Sequence, residues 1–185
     1  MDRTLPPETH RPKTLTPQRD DVFWSIPWRR QGWLIAAMLL GTCVRGVLLW
    51  QYSASSLSEL YRADHAFYRQ WGLAISQGVW SPGHVFEQGP LYAYILGGFY
   101  ALLGKQDLFL LACQMLAGLS TVWLVDQIGR VVFDEWTARI AAFVTAICAP
   151  LVFFEGLVMK TWLTPLLSTL IVWLLITPSI RNCNW

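Results

Sequence analysis

Residues Gly89–Gly104 read GPLYAYILGGFYALLG, and whether this stretch crosses a membrane decides the topology of the chain. Pro90 suits the first position of a helix, where its missing N–H leaves no bond unmade. As a helix the stretch reaches about 24 Å at ~1.5 Å per residue, short of a hydrocarbon core of ~30 Å. The expectation is a helix that lies in the interface or re-enters it.

Longer apolar runs flank it. Upstream is GWLIAAMLLGTCVRGVLLWQY, Gly32–Tyr52. It exceeds the ~7–15 residues of a signal-peptide core, and a long hydrophilic tail precedes it, so it reads as an uncleaved anchor. Trp33 and Trp50 mark its two interfaces. Arg45 lies inside it, where an ionisable group faces protein or water or snorkels to the nearer surface. Downstream come DLFLLACQMLAGLSTVWLVDQI, the charged turn GRVVFDEWTAR, then IAAFVTAICAPLVFF, a break at EGLVMK, and TWLTPLLSTLIVWLLITP. The expected fold is an all-α integral membrane protein with about four transmembrane helices. Interfacial helices are expected in its first outer loop.

If 89–104 does not cross, Arg130 and Arg139 lie on the side of Arg29 and Arg30, as does Arg181. The positive-inside rule makes that side cytoplasmic. Glu155 and Lys160 then emerge on the same face as Asp64. Residues 1–31, polar and proline-rich, read as a disordered cytoplasmic tail. Residues 32–180 form the membrane region with its outer loop at 53–106, and 181–185 a tail.

Composition agrees. Of 185 residues 54% are hydrophobic and 14% charged, against about 25% charged in soluble domains. A net charge of +2 gives no nucleic-acid footprint. Cys43, Cys113, Cys148 and Cys183 form no CxxC pair, so they suggest neither a disulfide framework nor a zinc site, and three read as small buried hydrophobes in apolar runs.

The outer loop carries the chemistry. In RADHAFYRQW, Arg62–Trp71, Phe67, Trp71 and Ile75 recur at helical spacing with Tyr68 beside them. That pattern suits an amphipathic helix lying on the membrane surface. Asp64 precedes its first turn. It fits an N-cap, and a cap can also hold a catalytic carboxylate in place. Glu87 sits just before Gly89-Pro90, in VFEQGPLYAY. His65 and His84 are too scattered for metal ligands and read as surface or hydrogen-bonding histidines. Glu155 and Lys160 stand at the mouth of a span. They flank a turn, or the lysine meets a lipid phosphate.

The order of these pieces resembles the N-terminal region of the GT-C membrane glycosyltransferases, specifically the protein O-mannosyltransferases and aminoarabinose transferases, which use polyprenyl-phosphate sugars. The resemblance runs from about Arg45 to Pro178. It rests on the acid before an aromatic helix, F-E-x-x-P-L-Y-x-Y before a short apolar helix, G-R-x-x-F, and a span ending near an acid. It implies that Asp64 is the catalytic acid, with His65 where many members have a second acid. It also implies that Glu87 is the acid before the proline-led helix, one residue further from Pro90 than usual. An acid of the next outer loop falls nearest Thr161, with Glu155 several residues earlier.

The resemblance implies transfer of a sugar from a polyprenyl phosphate to a hydroxyl or amine of a protein, lipid or glycan. The implied location is the outer face of a bacterial inner membrane. Asp64 would remove the acceptor's proton. Lys160, Arg62 or Arg69 would offset charge on the leaving phosphate, and Tyr68, Glu87 and Glu155 would border the substrate. No cofactor is called for, and neither a P-loop nor a dinucleotide fingerprint is present.

Family members carry more spans, and SIRNCNW does not continue their pattern, so the chain reads as a truncated form. An inactive remnant or non-catalytic subunit, with Asp64 only a cap, stands beside the enzyme reading. A small carrier or channel calls for ionisable groups deep in several spans, and only Arg45 qualifies.

Overall fold

The computed structural model describes residues 28–54, 64–81 and 88–182, apart from the side chains of residues 28–31, Asp64 and residues 178–182. Among the described residues seven α-helices follow one another: α1 (Trp28–Ala54), α2 (Asp64–Ser76), α3 (Pro90–Leu103), α4 (Asp107–Val132), α5 (Glu135–Ile147), α6 (Ala149–Glu155) and α7 (Leu163–Asn182). A short 3-10 turn, Lys160–Trp162, leads into α7. No strand occurs among the described residues.

Among the described residues three segments are long and apolar enough to cross a bilayer: Gly32–Ala54, Asp107–Val132 and Lys160–Thr177. The α5–α6 pair, bent by 48°, makes a fourth by length and composition when counted as one span. This is the expected all-α membrane architecture with about four spans. Leu39, Val47, Trp50, Ile171, Leu174 and Leu175 on α1 and α7 are exposed, as apolar side chains facing lipid would be. Of the described cysteines, Cys43, Cys113 and Cys148 are free. Cys43 is exposed and the other two are only partly covered, so the expected burial does not hold for them.

The expected break at EGLVMK separates α6 from the turn into α7, and a further bend falls inside the apolar run before it. Its cause is Pro150, which sits in the first turn of α6 and cannot donate to the carbonyl of Ala146. That carbonyl accepts from Arg45 Nη1 instead, at 3.1 Å.

The α3 helix is short, as its sequence predicts. It starts with Pro90 and stops at Gly104, whose φ of 74° is the left-handed conformation that glycine adopts without strain. It runs antiparallel to the first turns of α4. Tyr100 Oη donates to Asp107 Oδ1 at 3.0 Å, and Tyr92 Oη reaches Gln114 Oε1 at 3.4 Å. Burial and the neighbouring Asp107 push the Tyr100 hydroxyl up, so it stays a donor.

Against α3 lies α2, and here the structure corrects an expectation. The stripe of Phe67, Trp71 and Ile75, with Tyr68 beside it, does not face the membrane surface; Phe67 is partly buried against the core that takes the other three. Tyr68, Trp71 and Ile75 are buried with Tyr92, Ala93, Leu96 and Tyr100 in one apolar core that also holds Val158 and Trp162. The reason is steric. A Cβ on Gly72 would overlap Leu96, and one on Gly97 would overlap Ile75, so these two glycines let the helices meet backbone to side chain.

The other end of the bundle is an ion-paired turn between α4 and α5. Arg130 pairs with Asp126 at 2.7 Å and with Glu135 at 3.4 Å, and Arg139 pairs with Glu135 at 3.3 Å. Asp134 caps α5, accepting from the N–H groups of Trp136 and Thr137. The Arg139 guanidinium lies over the rings of Trp33 and Trp136, so the Trp33 end of α1 and this turn share one end. That is the relation expected if 89–104 does not cross.

Candidate functional site

The opposite end gathers α2, α3, the start of α4 and the turn that follows α6. Three contacts define it. His65 Nε2 accepts the Val158 N–H at 3.0 Å. Gln114 Nε2 donates to the Leu157 carbonyl at 3.0 Å. Lys160 Nζ donates to Gln88 Oε1 at 2.7 Å. The first bond joins the residue after Asp64 to the turn between Glu155 and Lys160, so these stretches share an end as the non-crossing topology requires.

The sequence-derived site residues separate into distinct environments. Lys160 is exposed, and its side chain passes Gly89 to reach Gln88 in the stretch that leads into α3. It is a long-stemmed cation at the rim, able to meet an anion. Arg69 is buried and ion-paired with Asp107 at the first turn of α4, so it ties α2 to α4 instead of facing outward. Tyr68 is 1% exposed, stacked near Trp71 and edge-on to Tyr92, with its hydroxyl 3.5 Å from the Gly89 carbonyl. It is a core residue that supports the α3 entry. Asp64 opens α2. Its side chain, together with Arg62, His84 and Glu87, lies outside the described residues.

Glu155 departs most from its expected place. It ends α6, but its carboxylate turns inward to Arg45 instead of standing out beside Lys160. Its carboxylate is held by Arg45 through two hydrogen bonds, Nε to Oε2 at 2.7 Å and Nη2 to Oε1 at 2.8 Å. Arg45 is 3% exposed and Glu155 4%. A Cβ on Gly118 would overlap the Glu155 carboxylate, so the pair sits against the middle of α4, about 16 Å along a helix about 39 Å long at ~1.5 Å per residue. Arg45 therefore does not snorkel. Each of its nitrogens has an acceptor, with Nη1 also 3.3 Å from the Gly41 carbonyl. A paired and hydrogen-bonded charge is the form in which an ion tolerates burial.

Sequence reasoning missed Asp126, a buried acid of α4 that is 1% exposed. Its i,i+4 spacing to Arg130 was the available signal. It belongs to the ion-paired turn at the far end. So does an apolar groove of about 310 Å³ lined by Val125, Ile128, Phe133, Ala141 and Val172 among others, with no ionisable side chain.

A family model described as dolichyl-phosphate-mannose-protein mannosyltransferase matches residues 87–184. The match covers more than half of the 185-residue chain, and the chain belongs to that family, a multi-pass membrane glycosyltransferase type of the GT-C class. The matched region includes α3, Gln114, Glu155 and Lys160, and begins after Asp64. Neither the curated proteins nor the solved structures yield a match.

Proposed function

We propose that this chain moves a sugar from a polyprenyl phosphate to a hydroxyl or amine acceptor at the outer face of the membrane, with Asp64 as general base and Lys160 as the cation facing the phosphate. The observation that carries this reading is the His65–Val158 hydrogen bond. It fastens the start of α2, where Asp64 stands, to the turn that bears the exposed Lys160.

The chemistry balances with those two groups. The acceptor's O–H or N–H gives its proton to the Asp64 carboxylate as the oxygen or nitrogen bonds the anomeric carbon. The bond from that carbon to the phosphate oxygen breaks, and the electron pair leaves with the lipid phosphate. Attack from the opposite face inverts the anomeric centre. Lys160 stabilises the charge developing on the departing oxygen. Arg69 and Glu155, each engaged by an internal partner, hold the frame. Glu87 and Arg62 stand close in sequence to Gln88 and Asp64 and remain candidates for holding the donor. The acceptor can be protein, lipid or glycan. The Trp33, Arg130 and Arg139 end supports a cytoplasmic N-terminus, and a bacterial inner membrane is the matching location.

The test is transfer of labelled mannose from a polyprenyl-phosphate donor to a peptide acceptor by the full chain in vesicles. Asp64→Asn should cut turnover by about 10²–10⁴-fold, the usual worth of a general base, with membrane insertion unchanged. Undiminished transfer by that variant removes Asp64 from the role of base.

A further inference from the structure

We propose that His65 is a positioning residue for this transfer: by accepting the Val158 N–H, its imidazole latches the base-bearing end of α2 to the turn that carries Lys160. The inference rests on the reading of Asp64 and Lys160 given above.

The peptide unit between Leu157 and Val158 is gripped on both sides. Its carbonyl accepts from Gln114 Nε2 on α4, and its N–H donates to His65 Nε2 on α2. Gln114 in turn meets Tyr92 of α3. One peptide unit thus ties together three helices at the end where the proposed base and cation lie. The bond is buried, with Val158 fully covered and His65 9% exposed. Lys160 comes two residues after Val158, and Asp64 immediately precedes His65. Loss of the bond would free both to move relative to one another, and a displacement of about 1 Å at a reacting pair can cost about 10²-fold in rate.

Nε2 accepts only while it carries no proton. Protonation would turn it into a second donor facing the Val158 N–H. The charged and titratable groups around it are few among the described residues. Arg69 lies one turn along α2 and Asp107 opens α4. The hydroxyls of Tyr68, Tyr92 and Tyr100 are packed in the same core. On the facing turn Lys160 is directed to Gln88 and Glu155 to Arg45. Burial, then the Arg69 charge, hold the imidazole below its usual 6.5, against the opposing pull of Asp107. The folded state therefore binds fewer protons here than the unfolded chain. The latch is fully present above pH about 6.5 and is lost as pH falls through the lower folded value.

The experiment compares His65→Ala and His65→Gln in the full chain, by the pH profile of mannose transfer and by hydrogen exchange of the Val158 amide. His65→Ala should lower kcat by about tenfold to 10²-fold and speed Val158 exchange. In His65→Gln an amide oxygen can accept the same N–H without titrating. It should restore most of the lost rate and Val158 protection. It should also move the acid fall-off of activity from the imidazole range towards the carboxylate range near ~4. A wild-type kcat in His65→Ala overturns the proposal, as does an unchanged acid limb in His65→Gln. Altered Val158 exchange together with full activity of Asp64→Asn would sink the base assignment and leave the contact standing. An inactive Asp64→Asn with unaffected His65 variants would sink the latch alone.

Discussion

The buried pair of Arg45 and Glu155 gives the sharpest quantitative expectation. Glu155→Met strands a guanidinium that cannot shed its proton beside the middle of α4. Breaking one side of a buried pair costs about 3–5 kcal/mol, and this variant should fall in that range. Arg45→Met leaves a carboxyl, which can take up a proton instead of staying charged, but it also strips the Ala146 carbonyl of its donor. A loss of about 2–4 kcal/mol is expected from the unmade bonds. The double variant Arg45→Met/Glu155→Met contains no stranded charge. Its remaining defect is the Ala146 carbonyl, worth about 1–2 kcal/mol. Adding Pro150→Ala restores an N–H four residues after Ala146 and should recover most of that remainder. The assay is unfolding in mixed micelles of increasing SDS content, followed by tryptophan fluorescence and far-UV circular dichroism. Additive losses in the double variant would refute the pairing. A triple variant no more stable than the double would refute the link between Pro150 and Arg45.

Two further outcomes test other parts of the structure. Lys160→Gln removes an exposed charge without disturbing the core, so insertion and unfolding should stay as in wild type. Its kcat/KM for the polyprenyl-phosphate donor should fall by about tenfold or more, and an unchanged value in the transfer assay would release Lys160 from the phosphate role. Asp134 accepts from the Thr137 backbone and side chain and from the Trp136 N–H, which hold its carboxyl below the usual range. The stabilisation is present above pH about 3.9 and lost as pH falls through the depressed value. Asp134→Ala should lower the thermal midpoint at neutral pH, and the difference from wild type should shrink in acid scans.

The four spans and the short α3 were legible because they rest on length and punctuation. A run too short for the bilayer, opened by Pro90 and closed by Gly104, has few other solutions. The direction of the α2 stripe was not legible. Amphipathic spacing states that Trp71 and Ile75 leave water, but lipid and a neighbouring helix satisfy it equally. The discriminating signal was the pair of small residues, Gly72 and Gly97, which let α2 and α3 approach. Arg45 and Glu155 illustrate a second limit. They stand 110 positions apart, and nothing local in either segment names the other. Sequence does supply a constraint on the pair, however. A cation inside one span needs an acceptor, and Pro150 inside another span frees one at Ala146. Arg45 meets both needs at once, which places α1 against the α5–α6 bend and draws Glu155 inward against the middle of α4. With Glu155 committed there, Lys160 is left at the rim, and the division between a buried frame and an exposed cation follows from one proline and one arginine.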